Sequence, residues 1–182
     1  MTATLDWAPA LDRTDLLAEP VSDALRALGP PARDVRVAPI DPDRADTAAF
    51  CAAYGRALDE SANCVLLSAK RSGESWLAAC VVLATTRADV NGLARRTLGA
   101  KKASFAPMDV AVAASGMEHG GITPVGLPDG WPLLVDAAVA SAGPVVVGSG
   151  RRRSKLLVPG ALVATLPGAV VLDGLGIPAA PA

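Results

Sequence analysis

Apolar positions along the chain follow two rhythms, one of period 3.6 and one of period 2, and the punctuation between them is mostly Gly and Pro. Val21, Ala24, Leu25 and Leu28 recur at i, i+3, i+4 and i+7 behind Pro20, and Gly29-Pro30-Pro31 closes the run, which predicts a short helix. Val35–Ile40 alternates and predicts a strand. Asp46 is placed to cap a helix whose buried face is Phe50, Ala53, Tyr54, Ala57 and Leu58. The apolar runs 64–69 and 76–84 flank a polar turn at 70–75 and predict a β-hairpin. Asp89 caps a helix with Val90, Leu93, Ala94 and Thr97 on one face, and Gly99 ends it. A strand over 101–105 follows. Pro107 then opens a helix with Met108, Ala111, Val112 and Ser115 inward. Residues 118–132 predict a loop. Strands are expected at 133–136, 145–147, 155–158 and 169–172, with a helix over 160–166 between the last two.

These elements amount to a mixed α/β fold without regular strand–helix alternation, which disfavours a doubly wound parallel sheet. The expected organisation is an N-terminal arm at 1–19, one domain over 20–173 and a flexible tail at 174–182, where Gly, Pro and Ala dominate.

Composition narrows the class. At 182 residues, 51% hydrophobic and 19% charged, the chain is a core-former of one domain. Only 2 Phe, 3 Trp and 1 Tyr are present, so base recognition on aromatic platforms is not expected. The longest uncharged stretch, 156–172, is broken by Pro159-Gly160 and Pro167-Gly168, so no membrane partner is expected. The first residues have no basic start and no apolar run, unlike a secretory signal. Three cysteines without CxxC spacing fit reduced thiols and a cytoplasmic location. One histidine leaves a metal site short of ligands, and no cofactor motif is complete.

Charge changes the picture once it is divided by position. Residues 1–60 hold 11 acidic and 6 basic side chains; residues 61–182 hold 7 acidic and 11 basic. The overall −1 therefore hides a C-terminal part at +4, which suits an anionic partner or simply two solvated faces of opposite sign.

Two glycine-rich segments carry the candidate chemistry. In 116–128, glycines permit close backbone approach and consecutive N–H groups can form a donor nest for a carbonyl oxygen or a phosphate, with prolines holding the loop. A structural loop at a helix end explains the same residues. Gly148-Ser149-Gly150-Arg151-Arg152-Arg153-Ser154-Lys155 lacks the third glycine and the helix of a dinucleotide fingerprint. Its cationic run suits a phosphate backbone, or a solvated turn between strands. Arg95, Arg96, Lys101 and Lys102 form a further basic group. His119 is a candidate general base and Cys64 a candidate nucleophile, although Cys64 opens an apolar strand and no GxSxG presents a serine.

Leu98-Gly99-Ala100-Lys101-Lys102, Gly116 with Gly120-Gly121-Ile122-Thr123-Pro124-Val125-Gly126, Leu134-Val135-Asp136 and Gly148-Ser149-Gly150-Arg151 together resemble the YbaK/EbsC family. That family comprises freestanding prolyl-tRNA editing proteins and the related inserted domain of some prolyl-tRNA synthetases. The resemblance runs from about Asn63 to Leu166, and Gly120 to Pro124 fits the family's GxxxP signature. It implies a mixed, partly barrel-like sheet surrounded by helices, and hydrolysis of the ester joining a wrong amino acid to tRNA. It further implies that the glycine loop shapes a small pocket, that its backbone holds the aminoacyl group, and that a ribose hydroxyl of the tRNA assists attack by water. The family's usual lysine, before the hairpin, falls here on Cys64; Lys70 lies six residues further along the strand.

Three functions are consistent with these residues: a deacylase clearing tRNA mischarged with a small amino acid, a non-catalytic module binding tRNA or a synthetase, and a hydrolase of another acyl ester with His119 as base. The deacylase leads. Its expected site comprises Gly120, Gly121, His119 and Cys64 at the chemistry, with Ser115, Ile122, Thr123, Pro124, Asp136 and Gly148 around the substrate. Arg95, Arg96, Lys102, Arg151, Arg152 and Arg153 are expected at tRNA phosphates, with the tRNA acceptor end as partner and prolyl-tRNA synthetase as a second one. If Cys64 occupies the lysine's place, its side chain should face the Gly120–Pro124 loop.

Overall fold

The structure, a computed structural model, describes residues 3–179. Its strands are β1 Ala8–Pro9, β2 Arg36–Pro39, β3 Ala62–Arg71, β4 Glu74–Leu83, β5 Thr86–Ala88, β6 Lys102–Phe105, β7 Leu133–Asp136, β8 Pro144–Gly148, β9 Ser154–Pro159, β10 Ala169–Leu172 and β11 Gly176–Pro178. Its helices are α1 Glu19–Leu28, α2 Thr47–Tyr54, α3 Arg95–Thr97, α4 Met108–Ser115, α5 Ala137–Ser141 and α6 Gly160–Val163; a π-helical turn, Val90–Ala94, leads into α3.

The strands form a five-stranded sheet, β10-β7-β4-β3-β6, a four-stranded sheet, β1-β2-β9-β8, and the small pair β11-β5. A single parallel bridge between Ser61 and Val146 joins the two larger sheets into a curled but unclosed surface. The architecture is the expected mixed α/β one. Strand alternation divides its interior. Cys64, Leu66, Ala79, Val81, Leu133 and Val135 point to the main core, together with Val145, Val147, Leu156 and Val158 of the other sheet. On the opposite face of the five-stranded sheet, Leu67, Cys80 and Leu134 pack under Ala88, Val90 and Ala94. The opposite face of the four-stranded sheet meets α2, where Phe50 packs near Val146 and Leu157.

Local chemistry explains the element ends. Ser72 (φ 52°) and Gly73 (φ 87°) make a two-residue turn with both central residues left-handed, so the hairpin strands run to Arg71 and Glu74 rather than stopping at a six-residue polar turn. Asp89 accepts from the Gly92 and Leu93 N–H groups at 3.0 and 2.7 Å, as its capping position predicts. The helix expected to bury Ala57 and Leu58 instead stops at Tyr54. Gly55 (φ 64°) takes the left-handed stop position, and Leu58 is exposed in a separate 3₁₀ turn.

Both termini are more engaged than composition suggested. Within 3–19, β1 pairs with β2, and Ala10, Leu16, Leu17 and Ala18 are buried. After Gly174, Leu175 is fully buried and β11 pairs with β5, so the expected flexible tail is docked as far as Pro178. Its last residues, 180–182, lie outside the described residues, as do Met1 and Thr2 of the arm. No described helix is long and apolar enough to cross a membrane.

Candidate active site

The two glycine-rich segments, far apart in sequence, pack against each other. The Gly150 N–H donates to the Gly121 carbonyl at 2.7 Å, and the Glu118 N–H donates to the Gly150 carbonyl at 2.8 Å. A Cβ on Gly121 would stand 2.6–2.8 Å from the Arg151 backbone, and one on Gly148 would overlap the Gly121 and Ile122 carbonyls. The glycines are therefore needed for backbone-to-backbone approach, the purpose expected of them, with a second loop of the same chain as the neighbour. Glu118 fastens the pair: its carboxylate accepts from the Arg152 N–H at 2.7 Å and from the Arg151 guanidinium at 3.2 Å.

The arginine turn is tied inward. Arg151 Nε donates to the Leu17 carbonyl at 3.0 Å, and an Arg153 Nη donates to the Asp15 carbonyl at 2.8 Å. Ser154 Oγ donates to the Leu16 carbonyl at 2.5 Å. Arg152 reaches toward Gly120 and stands 3.9 Å from Asp46, too far for a hydrogen bond. The side chains of Arg151, Arg153 and Ser154 staple residues 15–17 to the turn that backs the glycine loop. By contrast Arg95 and Lys102 lie together with Lys70, Arg71 and Lys101, a group to which Arg96 does not belong, and among the described residues none of these side chains is in an ion pair. Lys70 sits directly opposite Lys102 in the β3–β6 register, a like-charge pair that an anion would relieve.

Beside the paired loops lies a cavity of about 290 Å³. Cys64, His119, Gly120, Ile122 and Gly148 line it, so five of the residues singled out in the sequence meet at one cavity. Cys64 thus stands on the same cavity as the Gly120–Ile122 backbone. Burial pushes its thiol far above the usual range, with Cys80 adding to the shift, so Cys64 is held as the protonated thiol. His119 is exposed at the rim and makes no side-chain hydrogen bond among the described residues. Among those residues the N–H groups of His119, Gly120 and Ile122 also have no intrachain acceptor, whereas that of Gly121 is used within the loop, on the Glu118 carbonyl.

The other expected substrate residues stand outside the cavity lining. Ser115 Oγ donates to Ala111 at 2.7 Å and accepts from the Met117 N–H, closing α4. Asp136 is the cap of α5, accepting from the Ala138 N–H at 2.7 Å and also from the Gly176 N–H. Thr123 and Pro124 are buried behind the loop, and Thr123 Oγ1 finds no partner among the described residues.

Sequence reading missed several wall residues. Asp46 occupies the N-cap position of α2 but makes no capping bond, and its carboxylate lines the cavity. Thr47 donates to Asn63 Oδ1 at 2.6 Å on the same wall. Met108, expected inward, is 48% exposed at the mouth. The largest omission is Lys155, which was counted with the arginine turn. It is buried on β9, at 7% exposure, and its cross-strand neighbours Ala38 and Gly148 are small enough to leave it room. Its Nζ donates to the Ala45 carbonyl at 2.7 Å and stands 5.7 Å from the Phe50 ring centroid. Burial, opposed by Asp46 and Cys51 and reinforced by Arg152, lowers its pKa to about 8. The signal was available in principle: Lys155 starts an otherwise apolar alternating strand, and the strand's period carries it to the same side as Leu157.

The family described as the aminoacyl-tRNA editing domain matches residues 41–166. No curated protein matches the chain. Among solved structures, hypothetical protein APE2540 is similar at a TM-score of 0.74 and 23% identity, over 87% of this chain and 100% of that one. A candidate trans-editing enzyme for prolyl tRNA synthetase is similar at 0.72 and 21%, over 86% and 94%. A scaffold protein redesigned to present a linear epitope is similar at 0.71 and 22%, over 86% and 95%. At these identities the likeness is one of fold.

Proposed function

Because this chain belongs to the aminoacyl-tRNA editing domain family, we propose that it is a deacylase that hydrolyses the ester of a tRNA mischarged with a small amino acid. The observation that supports this most is that His119, Gly120 and Ile122 line the cavity, carry backbone N–H groups without intrachain acceptors among the described residues, and belong to a loop held by the second glycine segment. Such donors, fixed before substrate arrives, stabilise the oxyanion that forms when water adds to an ester carbonyl. The carbon–oxygen bond to the ribose then breaks, leaving the free amino acid and the tRNA hydroxyl. Asp46 on the same wall suits the substrate's α-ammonium. The volume of about 290 Å³ has room for a small aminoacyl group and part of the ribose.

The body of the tRNA then falls on the cluster around Lys70, Arg95, Lys101 and Lys102. It stands at the far end of β3 from Cys64, about 20 Å away at strand rise. Phosphates placed there make binding salt-dependent: tRNA affinity is expected to fall about tenfold or more between 50 and 200 mM salt, measured by fluorescence anisotropy. A flat salt response would remove tRNA phosphates from the reading and favour a ligand pocket alone.

The direct test is a panel of mischarged tRNAs given to folded protein. Turnover of alanyl or similarly small esters, with aromatic esters spared, is expected. No turnover of any member, with tRNA still bound, would replace the enzyme by the non-catalytic binding module. His119→Ala separates the remaining reading: esterase activity that vanishes with His119 would make the histidine the base.

A further inference from the structure

A buried ammonium without a carboxylate partner is an expensive thing to keep in a fold. Moving it out of water costs several kcal/mol even after relaxation, so it persists where something beyond packing requires it. Lys155 is in this position. No Asp or Glu lies within 4.0 Å of its Nζ among the described residues, and the one carboxylate that shares the cavity, Asp46, is mostly solvated and turned toward Arg152. Of the three N–H donors of the ammonium, the Ala45 carbonyl takes one. The Phe50 ring adds a weak attraction from a neighbouring face. The remaining donors belong to a side chain that itself lines the cavity beside Gly148, Gly120 and Cys64. Small residues on both flanking strands, Ala38 and Gly148, leave the space the side chain fills.

We propose that Lys155 is the cationic substrate-binding group of this cavity, with its ammonium donating to an acceptor oxygen of the bound aminoacyl nucleotide, either the ester carbonyl or the terminal phosphate. The group reaches the pocket from the four-stranded sheet, across from the β3 wall where Cys64 offers only a protonated thiol. The proposal deepens the deacylase reading, and it requires only that the cavity bind the aminoacylated end, so it stands apart from whether the ester is cleaved. A pKa near 8 means that the ammonium is charged at neutral pH and discharges just above it.

The test uses a non-hydrolysable probe, adenosine carrying alanine through a 3′-amide with its 5′-phosphate, and a second probe lacking that phosphate. Binding to the full chain is measured by calorimetry for the unsubstituted protein and for Lys155→Met, an unbranched apolar side chain one atom shorter. At pH 7 the variant is expected to bind at least about tenfold more weakly, the usual scale for one charge-assisted hydrogen bond. The ratio of the two affinities should approach one at pH 9.5, where the lysine is discharged. Asp46, Arg152, Cys51, His119, Cys64 and the probe's own amine are present in both proteins, so the ratio reports the loss of Lys155. If both probes show the loss, the carbonyl is the acceptor; if only the phosphorylated one does, the phosphate is. Equal affinities at pH 7, a ratio that ignores pH, or no binding by the unsubstituted protein each overturn the proposal. Turnover of alanyl-tRNA by the same two proteins separates the two ideas. Probe binding lost with Lys155 in a protein that never deacylates defeats only the hydrolase, and turnover undiminished in Lys155→Met defeats only the lysine.

Discussion

Gly148→Ala is expected to lower deacylation by about 100-fold and to cost about 3 kcal/mol of stability, the upper end for overpacking a close contact. The added Cβ would stand 2.5 Å from the Ile122 carbonyl oxygen and 2.7 Å from the Gly121 carbonyl carbon, and nearer still to the Gly121 oxygen. Real Cβ atoms do not approach backbone so closely, and the loop from 118 to 122 cannot give way locally. Glu118 binds it to Arg151 and Arg152, and Gly121 is fixed to the Gly150 N–H. The whole wall of free N–H donors must shift together, and a displacement of about an ångström in such a wall is costly to catalysis. Gly143→Ala is the control. Its Cβ meets nothing within 4 Å, and its backbone is not in the left-handed region. Urea unfolding and turnover of the two variants decide the matter: Gly148→Ala behaving like Gly143→Ala would show that the loop contact is not what holds the wall.

Lys155→Met should make the protein more stable while weakening it as a binder. The folded pKa is about 8 against an ordinary 10.5. Between those values the unfolded chain holds a proton that the folded one has released, so stability rises with pH across that window. Below about pH 8 the full penalty of burying the charge is present; above about 10.5 it is gone. The shift corresponds to about 3 kcal/mol at neutral pH, and part of it is offset by losing the bond to Ala45. A gain of about 2 kcal/mol, or about 4–8 °C in Tm, is expected for Lys155→Met at pH 7, shrinking toward zero by pH 10. Thermal unfolding at pH 7, 8.5 and 10 checks the sign and the window together. A variant less stable at pH 7, with a deficit that does not change with pH, would mean that Lys155 is an ordinary packing residue. Stability surrendered at a cavity wall is the pattern of a residue kept for what it binds.

Local rules made most of the fold legible. Short apolar runs placed β3, β4, β7, β8, β9 and β10, the alternation at 35–40 placed β2, and the Asp89 cap placed the turn into α3, because each depends on neighbours within a few residues. The α2 boundary failed for a local reason: Gly55 was available as a stop signal but was outweighed by apolar residues that continued the helical spacing. The site was half legible. Cys64, His119, Gly120, Ile122 and Gly148 were found through glycine chemistry and family resemblance. Lys155 was grouped with Arg151, Arg152 and Arg153 because they are contiguous, yet a strand begins at Ser154 and its register carries the lysine under α2 while the arginines stay in the turn. Ser115 and Asp136 were singled out by type and position; both spend their oxygens on helix ends. The contact between the two glycine segments was invisible for a different reason. It joins residues about 30 positions apart, and nothing in either segment names the other.

The staple formed by Arg151, Arg153 and Ser154 on the carbonyls of residues 15–17 has a consequence for where the working unit begins. The family match starts at residue 41, but the turn that backs the glycine loop is clasped from a stretch some 25 residues earlier. To the clasp that stretch contributes main-chain oxygens, while Leu16 and Leu17 sink their side chains into the core and fix its position. Burial constrains its sequence, and the clasp constrains its path. A segment outside the family match can still be indispensable to the geometry of the core that the match covers.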